Sequence, residues 1–458
     1  EELNLPEAIK KKILEKGIEE LNPPQEDAIK KGLLNFKNLV IAAPTASGKT
    51  LIAELAFLKM ILENRKKAIY IVPLRALAYE KYQDFKRYEE LGIKVAISVG
   101  DYDSSDNWLA NYDLIVVTSE KLDSLLRHSP IWLREVGLVI SDEIHLLNDE
   151  SRGPTLEIVL TKLKNELKPQ IIGLSATISN AREIAEWLNA ELVTSEYRPV
   201  KLYEGVYDGE ALRFLEKEDK YFDGVYEGLE GEIILALDTV KNGKQVLIFL
   251  STRRSAESLA TKIEKFMKSL LNKEEKKELK KLSEEILTVL SHPTKQCKKL
   301  SSCVKNGVAF HHAGLAHGQR TLVENYFRKG FIKVICATPT LAAGVDLPAF
   351  RVLIRDAKRY YSSHGYVYIP VLEYQQMAGR AGRPRYDPYG ESILIAKNER
   401  ESEELVNRFI LGEPEEIYSK LSVEPVLRTH VLSLINLSLI HISEPTRLGM
   451  ISYAVFCL

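Results

Sequence analysis

The chain has 458 residues, 45% of them hydrophobic and 28% charged, which excludes a single small fold and leaves room for roughly three domains of about 150 residues each. The longest apolar runs, such as Val246 to Leu250, fall far short of the about 20 residues a membrane helix needs, and no signal peptide opens the chain, so a cytoplasmic protein with no membrane partner is expected. A formal net charge of −1 excludes a globally basic polyanion binder; any nucleic-acid contact has to be local.

Strand-like apolar runs alternate with helical patterns twice along the chain, the signature of parallel sheets built from βαβ units. The first set is NLVIAA, AIYIV, VAIS, DLIVV, LVIS and IIGLS. Directly after NLVIAA come Ala43, Pro44, Thr45, Ala46, Ser47, Gly48, Lys49 and Thr50, a P-loop pattern with alanine in place of its first glycine. The backbone N–H groups of such a loop, at the start of a helix, cradle a phosphate chain. Lys49 is then expected on the β- and γ-phosphates of ATP, and the Thr50 hydroxyl on Mg2+. The strand LVIS runs into Asp142, Glu143, Ile144 and His145. Two carboxylates at the end of a buried strand are costly to desolvate, so they call for a cation or a proton-transfer task. Asp142 suits magnesium, and Glu143 suits the base that activates water. Ser175, Ala176 and Thr177 follow the strand IIGLS.

A domain boundary is expected where Pro199 follows Tyr197 and Arg198, giving a first domain over 1–197. The second strand set is QVLIFL, VAF, KVICAT, RVLIR and SILIA. Between the first two of these, Thr261 to Leu300 holds eleven Lys against six Glu, at the spacing of an amphipathic surface helix whose charge is a solvated face. His311 and His312 are adjacent on a strand and so point to opposite faces, which argues against a metal pair. Cys297, Cys303, Cys336 and Cys457 form no CxxC pair, so neither a zinc site nor a disulfide framework is expected. Residues 354–370 alternate around a Ser-Ser-His-Gly turn and carry Tyr360, Tyr361, Tyr366 and Tyr368, the pattern of a β-hairpin. Farther on, Arg380 and Arg383 stand three apart among glycines. They form a fork for a γ-phosphate presented from the opposite domain. The second domain is expected over 198–412, ending before Glu413 and Pro414, with a third, helical domain beginning over 413–436. The stretch 437–458 has no clear period and reads as a non-native tail.

These motifs together resemble the superfamily 2 helicases, in the DExH group of Ski-type and polymerase-theta-type helicases and its archaeal fork-acting members. The likeness runs through Asn22-Pro23-Pro24-Gln25, the P-loop, Pro73 to Ala78, Thr118 to Leu125, Asp142 to His145, Ser175 to Thr177, Phe249 to Glu257, His311 to Leu315, Ala337 to Ala349 and Gln376 to Pro384. The resemblance implies an α/β fold of two tandem RecA-like domains with parallel sheets, followed by the start of a winged-helix domain. It implies an ATP hydrolase and 3′→5′ DNA helicase acting on single-stranded and forked DNA in repair and recombination, as a monomer alongside replication or repair proteins.

Residue by residue, Gln25 would recognise adenine, and Gln376, Gly344 and Asp346 would serve the nucleotide. Ser175 and Thr177 would couple hydrolysis to domain motion. Arg75, Thr118, Ser119, Thr252, Thr338 and Thr340 would face one strand's backbone, a sequence-independent chemistry of hydroxyls, amides and a guanidinium. Tyr360, Tyr361 and Tyr366 would separate strands. Plain alternatives stand beside these: Thr and Ser at strand ends are commonly caps, and the tyrosines could pack on their own domain. The motifs also leave open an RNA helicase of the same group, since backbone contacts do not tell DNA from RNA, or a nucleic-acid-binding ATPase that does not unwind.

Overall fold

The computed structural model describes residues 5–432 apart from 101–105, 223–227, 342–346, 362–364, 385 and 424. The chain divides into two compact units, one made of the residues up to Tyr197 together with those from Glu415 onward, the other of Arg198–Pro414.

The first unit contains α1 (Glu7–Glu15), α2 (Pro23–Lys30), β1 (Leu39–Ala42), α3 (Lys49–Asn64), β2 (Lys67–Val72), α4 (Arg75–Phe85), β3 (Val95–Ser98), β4 (Leu114–Thr118), α5 (Ser119–His128), β5 (Val136–Ser141), α6 (Gly153–Lys162), β6 (Gln170–Ser175), α7 (Ala181–Trp187) and β7 (Glu191–Thr194). Strands β2, β5 and β6 are buried along their whole length, because helices cover both faces of a parallel sheet and its strands read as unbroken apolar runs. Among the described residues the sheet runs β3-β4-β2-β5-β6-β1-β7, with every pairing parallel. All its strand C-termini therefore lie along one edge. The order β5-β6-β1 brings three loops side by side there, and the register pairs Ala42 with Ser175 and Ser141 with Gly173. The edge strand β7 was not expected from the sequence; it is only partly buried, and its Glu191 and Thr194 face water.

Residues from Glu415 onward return to this unit. The amide of buried Asn180 donates to the Ile417 carbonyl and accepts from the Ile417 N–H, both at 2.9 Å, and Ser419 donates to the Glu157 carboxylate at 2.8 Å. A helical stretch follows over 425–432. The expected tail over 437–458 lies outside the described residues.

The second unit contains β8 (Lys201–Tyr207), β9 (Ala211–Phe214), β10 (Lys220–Tyr221), α8 (Gly231–Lys241), β11 (Val246–Phe249), α9 (Arg253–Met267), α10 (Lys273–Thr288), α11 (Lys295–Lys305), β12 (Val308–His311), α12 (His317–Arg328), β13 (Val334–Ala337), β14 (Arg351–Ile354), β15 (Lys358–Tyr361), β16 (Gly365–Tyr368), α13 (Val371–Ala378), β17 (Tyr389–Ile395) and α14 (Glu399–Leu405). Its main sheet runs β10-β9-β8-β17-β14-β11-β13-β12, parallel from β8 to β12 with β9 and β10 antiparallel at one edge. The register sets Arg351 opposite Glu391. Buried Arg351 binds Glu391 at 2.6 Å and Asp238 at 2.9 Å, so its charge is fully compensated in the core. The Lys-rich stretch is not one helix but runs through the end of α9, all of α10 and the start of α11. Chain direction changes at Asn272, which caps α10 by accepting from Glu275 N at 2.8 Å while Glu275 returns a bond to Asn272 N at 2.9 Å. The amphipathic reading holds for α10, whose Leu279, Leu282 and Ile286 are buried. Cys297, Cys303 and Cys336 are buried free thiols. Among the described residues no helix is long and apolar enough to cross a membrane.

Candidate nucleotide site and nucleic-acid surface

The first sheet's C-terminal edge gathers the chemistry. Leaving β1, the chain makes a compact loop with Ala46 and Gly48 in the left-handed region, at φ 67° and 90°, and enters α3 at Lys49. Gly48 is required twice over: its φ disfavours a side chain, and a Cβ there would lie 2.2 Å from the Gln25 amide nitrogen. That amide donates to the Gly48 carbonyl at 3.0 Å, while its oxygen accepts from Asn22 N at 2.9 Å. Gln25 is thus fastened to the phosphate-type loop. Lys49 donates to the carbonyls of Ala43 and Pro44 at 2.6 and 2.8 Å, and the buried hydroxyl of Ser47 has no partner among the described residues.

At the end of β5, Asp142 continues the ladder by donating its N–H to Ile71 at 2.9 Å. Its carboxylate accepts from the buried Tyr70 hydroxyl at 2.8 Å and from Glu143 N at 3.1 Å. Burial pushes the Asp142 carboxyl up, opposed first by the charge of Lys81. Lys81 itself, on α4, donates to the Thr50 hydroxyl at 3.3 Å. Glu143 holds φ at 53°, a left-handed conformation uncommon for a residue with a side chain and often found at functional sites. The 3₁₀ turn Ile144–Asn148 then carries His145 inward. Burial holds His145 below the usual histidine range. Its Nδ1 accepts from Ala176 N at 3.3 Å and lies 3.4 Å from the Ser175 hydroxyl, so the neutral ring ties Asp142–His145 to Ser175–Thr177. Ammonium, hydroxyls, loop amides and two carboxylates converging on a strand edge form a donor set suited to a triphosphate and a hard divalent cation.

Other sequence-selected residues fall into two groups. Arg75 starts the helix after β2, and Thr118 is the last residue of its paired neighbour β4; Arg75 is exposed, but the Thr118 hydroxyl is occupied as the cap of α5, accepting from Lys121 N at 3.4 Å, and Ser119 is buried. In the second unit Thr252 caps α9, accepting from Ser255 N at 3.1 Å. Thr338 and Thr340 share a hydroxyl contact of 2.9 Å. Gln376 lies on α13, Arg380 just beyond it. Arg383 forks onto Asp387 at 2.7 and 3.1 Å and donates to Gln245 at 2.6 Å. Gly344 and Asp346 lie outside the described residues, as does the side chain of Tyr361. Strands β15 and β16 form an antiparallel hairpin with Tyr360 opposite Tyr366. The two rings meet edge to face at 5.3 Å and are 64% and 76% exposed. Tyr70, Lys81 and His145 were given no role from the sequence. Only Tyr70 carried a signal, a hydroxyl inside the apolar strand AIYIV; Lys81 and His145 stand among polar and charged neighbours that hid them.

The family model for DEAD/DEAH box helicases matches residues 22–184, and that for the helicase conserved C-terminal domain matches residues 276–385. The chain is 52% identical to the ATP-dependent DNA helicase Hel308 of Methanocella arvoryzae over 94% of its own length and 58% of that protein's. It is 50% identical to the Hel308 of Pyrococcus abyssi over 95% and 58%, and 46% identical to that of Caldivirga maquilingensis over 94% and 57%. The chain thus spans 58% of the Methanocella protein's length. With both helicase models matched in tandem on two parallel-sheet units, the chain belongs to the superfamily 2 helicases.

Proposed function

We propose that the chain is the motor of an ATP-dependent DNA helicase that moves 3′→5′ along single-stranded DNA and unwinds forked or branched DNA in replication restart and repair. One observation carries the reading. The P-loop, the Asp142–Glu143 pair and Ser175–Thr177 share one sheet edge, in a chain 52% identical over 94% of its length to a protein named as an ATP-dependent DNA helicase.

Magnesium-bound ATP supplies the phosphoanhydride bond whose hydrolysis drives movement. Lys49 exchanges its loop carbonyls for phosphate oxygens, and the loop amides from Thr45 to Thr50 share that charge. Thr50 and Asp142 would hold the cation, and Tyr70 keeps the Asp142 carboxylate in place. Glu143 takes a proton from the attacking water at its carboxylate. Gln25, bonded to Gly48, senses the adenine and reports to the loop. His145 carries changes at Glu143 to Ser175 and Thr177. From the second domain Arg380 and Arg383 neutralise charge on the transferring phosphate, with Gln376, Gly344 and Asp346 serving the nucleotide.

Arg75 and Thr340 bind the backbone of one DNA strand through exposed groups, and Thr252, whose hydroxyl caps α9, serves it through the exposed start of that helix. Thr118, Ser119 and Thr338 are buried, and act by shaping the starts of the helical segments that follow them, whose first backbone amides face the strand, rather than through their own hydroxyls. Tyr360, Tyr361 and Tyr366 on the hairpin stack on the last base pair and part the strands. The protein works as a monomer with replication or repair partners.

The test is steady-state ATP hydrolysis without nucleic acid, with single-stranded DNA and with single-stranded RNA of equal length. DNA should stimulate turnover above RNA, and Lys49→Ala and Glu143→Gln should each lower it on the order of 100-fold or more. Stronger stimulation by RNA would replace the DNA reading with an RNA motor. Turnover indifferent to both would mean an ATPase uncoupled from nucleic acid.

A further inference from the structure

Helix α4 buries Leu77, Ala78 and Phe85, a stripe at helical spacing that docks it on the sheet. Lys81 stands four residues after Leu77 and four before Phe85, inside that stripe, where an aliphatic side chain belongs. A lysine is tolerated there only if its stem packs and its ammonium meets polar groups. One such group is the Thr50 hydroxyl, 3.3 Å from its Nζ, and its charge also bears on the Asp142 carboxylate, favouring the ionised form against burial. Thr50 and Asp142 are the same two residues assigned above to the divalent cation.

An ammonium and a divalent cation cannot share one hydroxyl and one carboxylate without mutual repulsion. The Lys81 ammonium donates to Thr50 and its charge bears on Asp142. We propose that Lys81 is a built-in competitor of the divalent cation and has to move aside for the metal to bind those two residues. The inference rests on the nucleotide-site reading. It assigns to Lys81 the setting of the metal requirement, and no part in the chemical step. An ammonium has a stem long enough to swing aside and three donors to re-satisfy elsewhere, so displacement needs no backbone rearrangement.

The experiment is binding of a fluorescent ADP analogue at equilibrium, titrated with Mg2+ in wild type, Lys81→Met, Lys81→Gln and Lys81→Arg, with no turnover involved. The half-saturating Mg2+ concentration should fall roughly tenfold in Lys81→Met and Lys81→Gln and stay near wild type in Lys81→Arg. In metal-free buffer Lys81→Met should melt below wild type, because Asp142 loses its cation, and saturating Mg2+ should close that gap. An unchanged Mg2+ dependence in the Met and Gln variants would overturn the proposal. So would nucleotide binding weakened equally at every Mg2+ concentration, which would make Lys81 a phosphate ligand instead. A wild-type protein that fails to bind the Mg2+–nucleotide, or one in which Lys49→Ala binds it as well, would sink the nucleotide-site reading rather than the role of Lys81.

Discussion

At the strand ends of the first unit, several chemically loaded residues hold neutral groups that other ligands could replace. Lys49 holds the carbonyls of its own loop, Lys81 the Thr50 hydroxyl, Tyr70 the Asp142 carboxylate, and His145 the Ala176 amide. In the second unit the corresponding charges are locked into the scaffold. Arg383 and Lys244 both bind Asp387, whose side chain is fully buried, and Ser251 is tied to Asp356 through its amide and its hydroxyl. The contrast is one of exchangeability. A carbonyl or hydroxyl releases an ammonium for about 1 kcal/mol, whereas taking one cation from a buried carboxylate leaves charge uncompensated at a cost of several kcal/mol. The first unit's site is built to swap partners, and the second unit's is built to stay put.

Urea unfolding of paired variants breaks or sharpens this contrast most strongly. Arg383→Ala should lower stability by about 2–3 kcal/mol, less than a full buried-pair loss because Lys244 still holds Asp387 at 2.7 Å. Lys49→Ala should cost under about 1 kcal/mol while abolishing turnover. Equal destabilisation by the two would show that the first unit's lysine is as structural as the second unit's arginine. If instead Arg383→Ala were neutral for stability, the arginine would be as free to move as Lys49, and its proposed service to phosphate would cost the scaffold nothing.

The same contrast explains what was legible in the sequence. The strands ending in the P-loop, in Asp142 and in Ser175 stood out because buried parallel strands read as unbroken apolar runs and their loops carry distinctive residues. The adjacency of the three loops was not legible, since the order β5-β6-β1 is a property of the crossovers. Strand β7 at the edge of the first sheet and β8 to β10 at one end of the second escaped because partly exposed strands carry charged and tyrosine residues that periodicity assigns to loops. The Lys-rich stretch showed its amphipathic stripe but hid its breaks, the first of which depends on the reciprocal bonds of Asn272 and Glu275 and the second on the Thr294 cap of α11. Thr118 and Thr252 were selected as strand contacts, and their hydroxyls turned out to cap helices. A cap and a phosphate contact use the same residue types, so spacing alone does not separate them.

The hairpin is the second unit's exception, because Tyr360 and Tyr366 are mostly exposed and packed on each other. Tyr360→Ala should leave stability within about 0.5 kcal/mol and leave DNA-stimulated ATP turnover unchanged. Unwinding of a forked duplex should slow several-fold, equivalent to about 1–2 kcal/mol of lost base stacking. Equal loss of turnover and unwinding would place the tyrosines in strand gripping rather than strand separation, and a large stability loss would return them to the braced scaffold.

The smallest effect probes the first unit's own bracing. Asp149, just past the turn that carries His145, accepts from Ser151 N and Oγ at 3.0 and 2.7 Å, from Arg152 N at 2.9 Å and from the Arg152 guanidinium at 3.0 Å. Burial pushes its carboxyl up, but the bonds from Arg152 and Ser151 outweigh that and hold it down at about 2. A carboxyl depressed on folding stabilises the protein above its ordinary range near pH 4, and that contribution is lost as pH falls from about 4 to about 2. Because the group is partly exposed, solvent screening reduces the contribution to about 1 kcal/mol. Asp149→Asn should therefore be about 1 kcal/mol less stable than wild type at pH 7, and the two should converge near pH 2. A gap that persists in acid would assign the loss to hydrogen bonds rather than charge. If there were no gap at neutral pH, the turn bearing Glu143 and His145 would rest on exchangeable contacts alone, and the contrast between the units would be sharper than the bonding pattern implies.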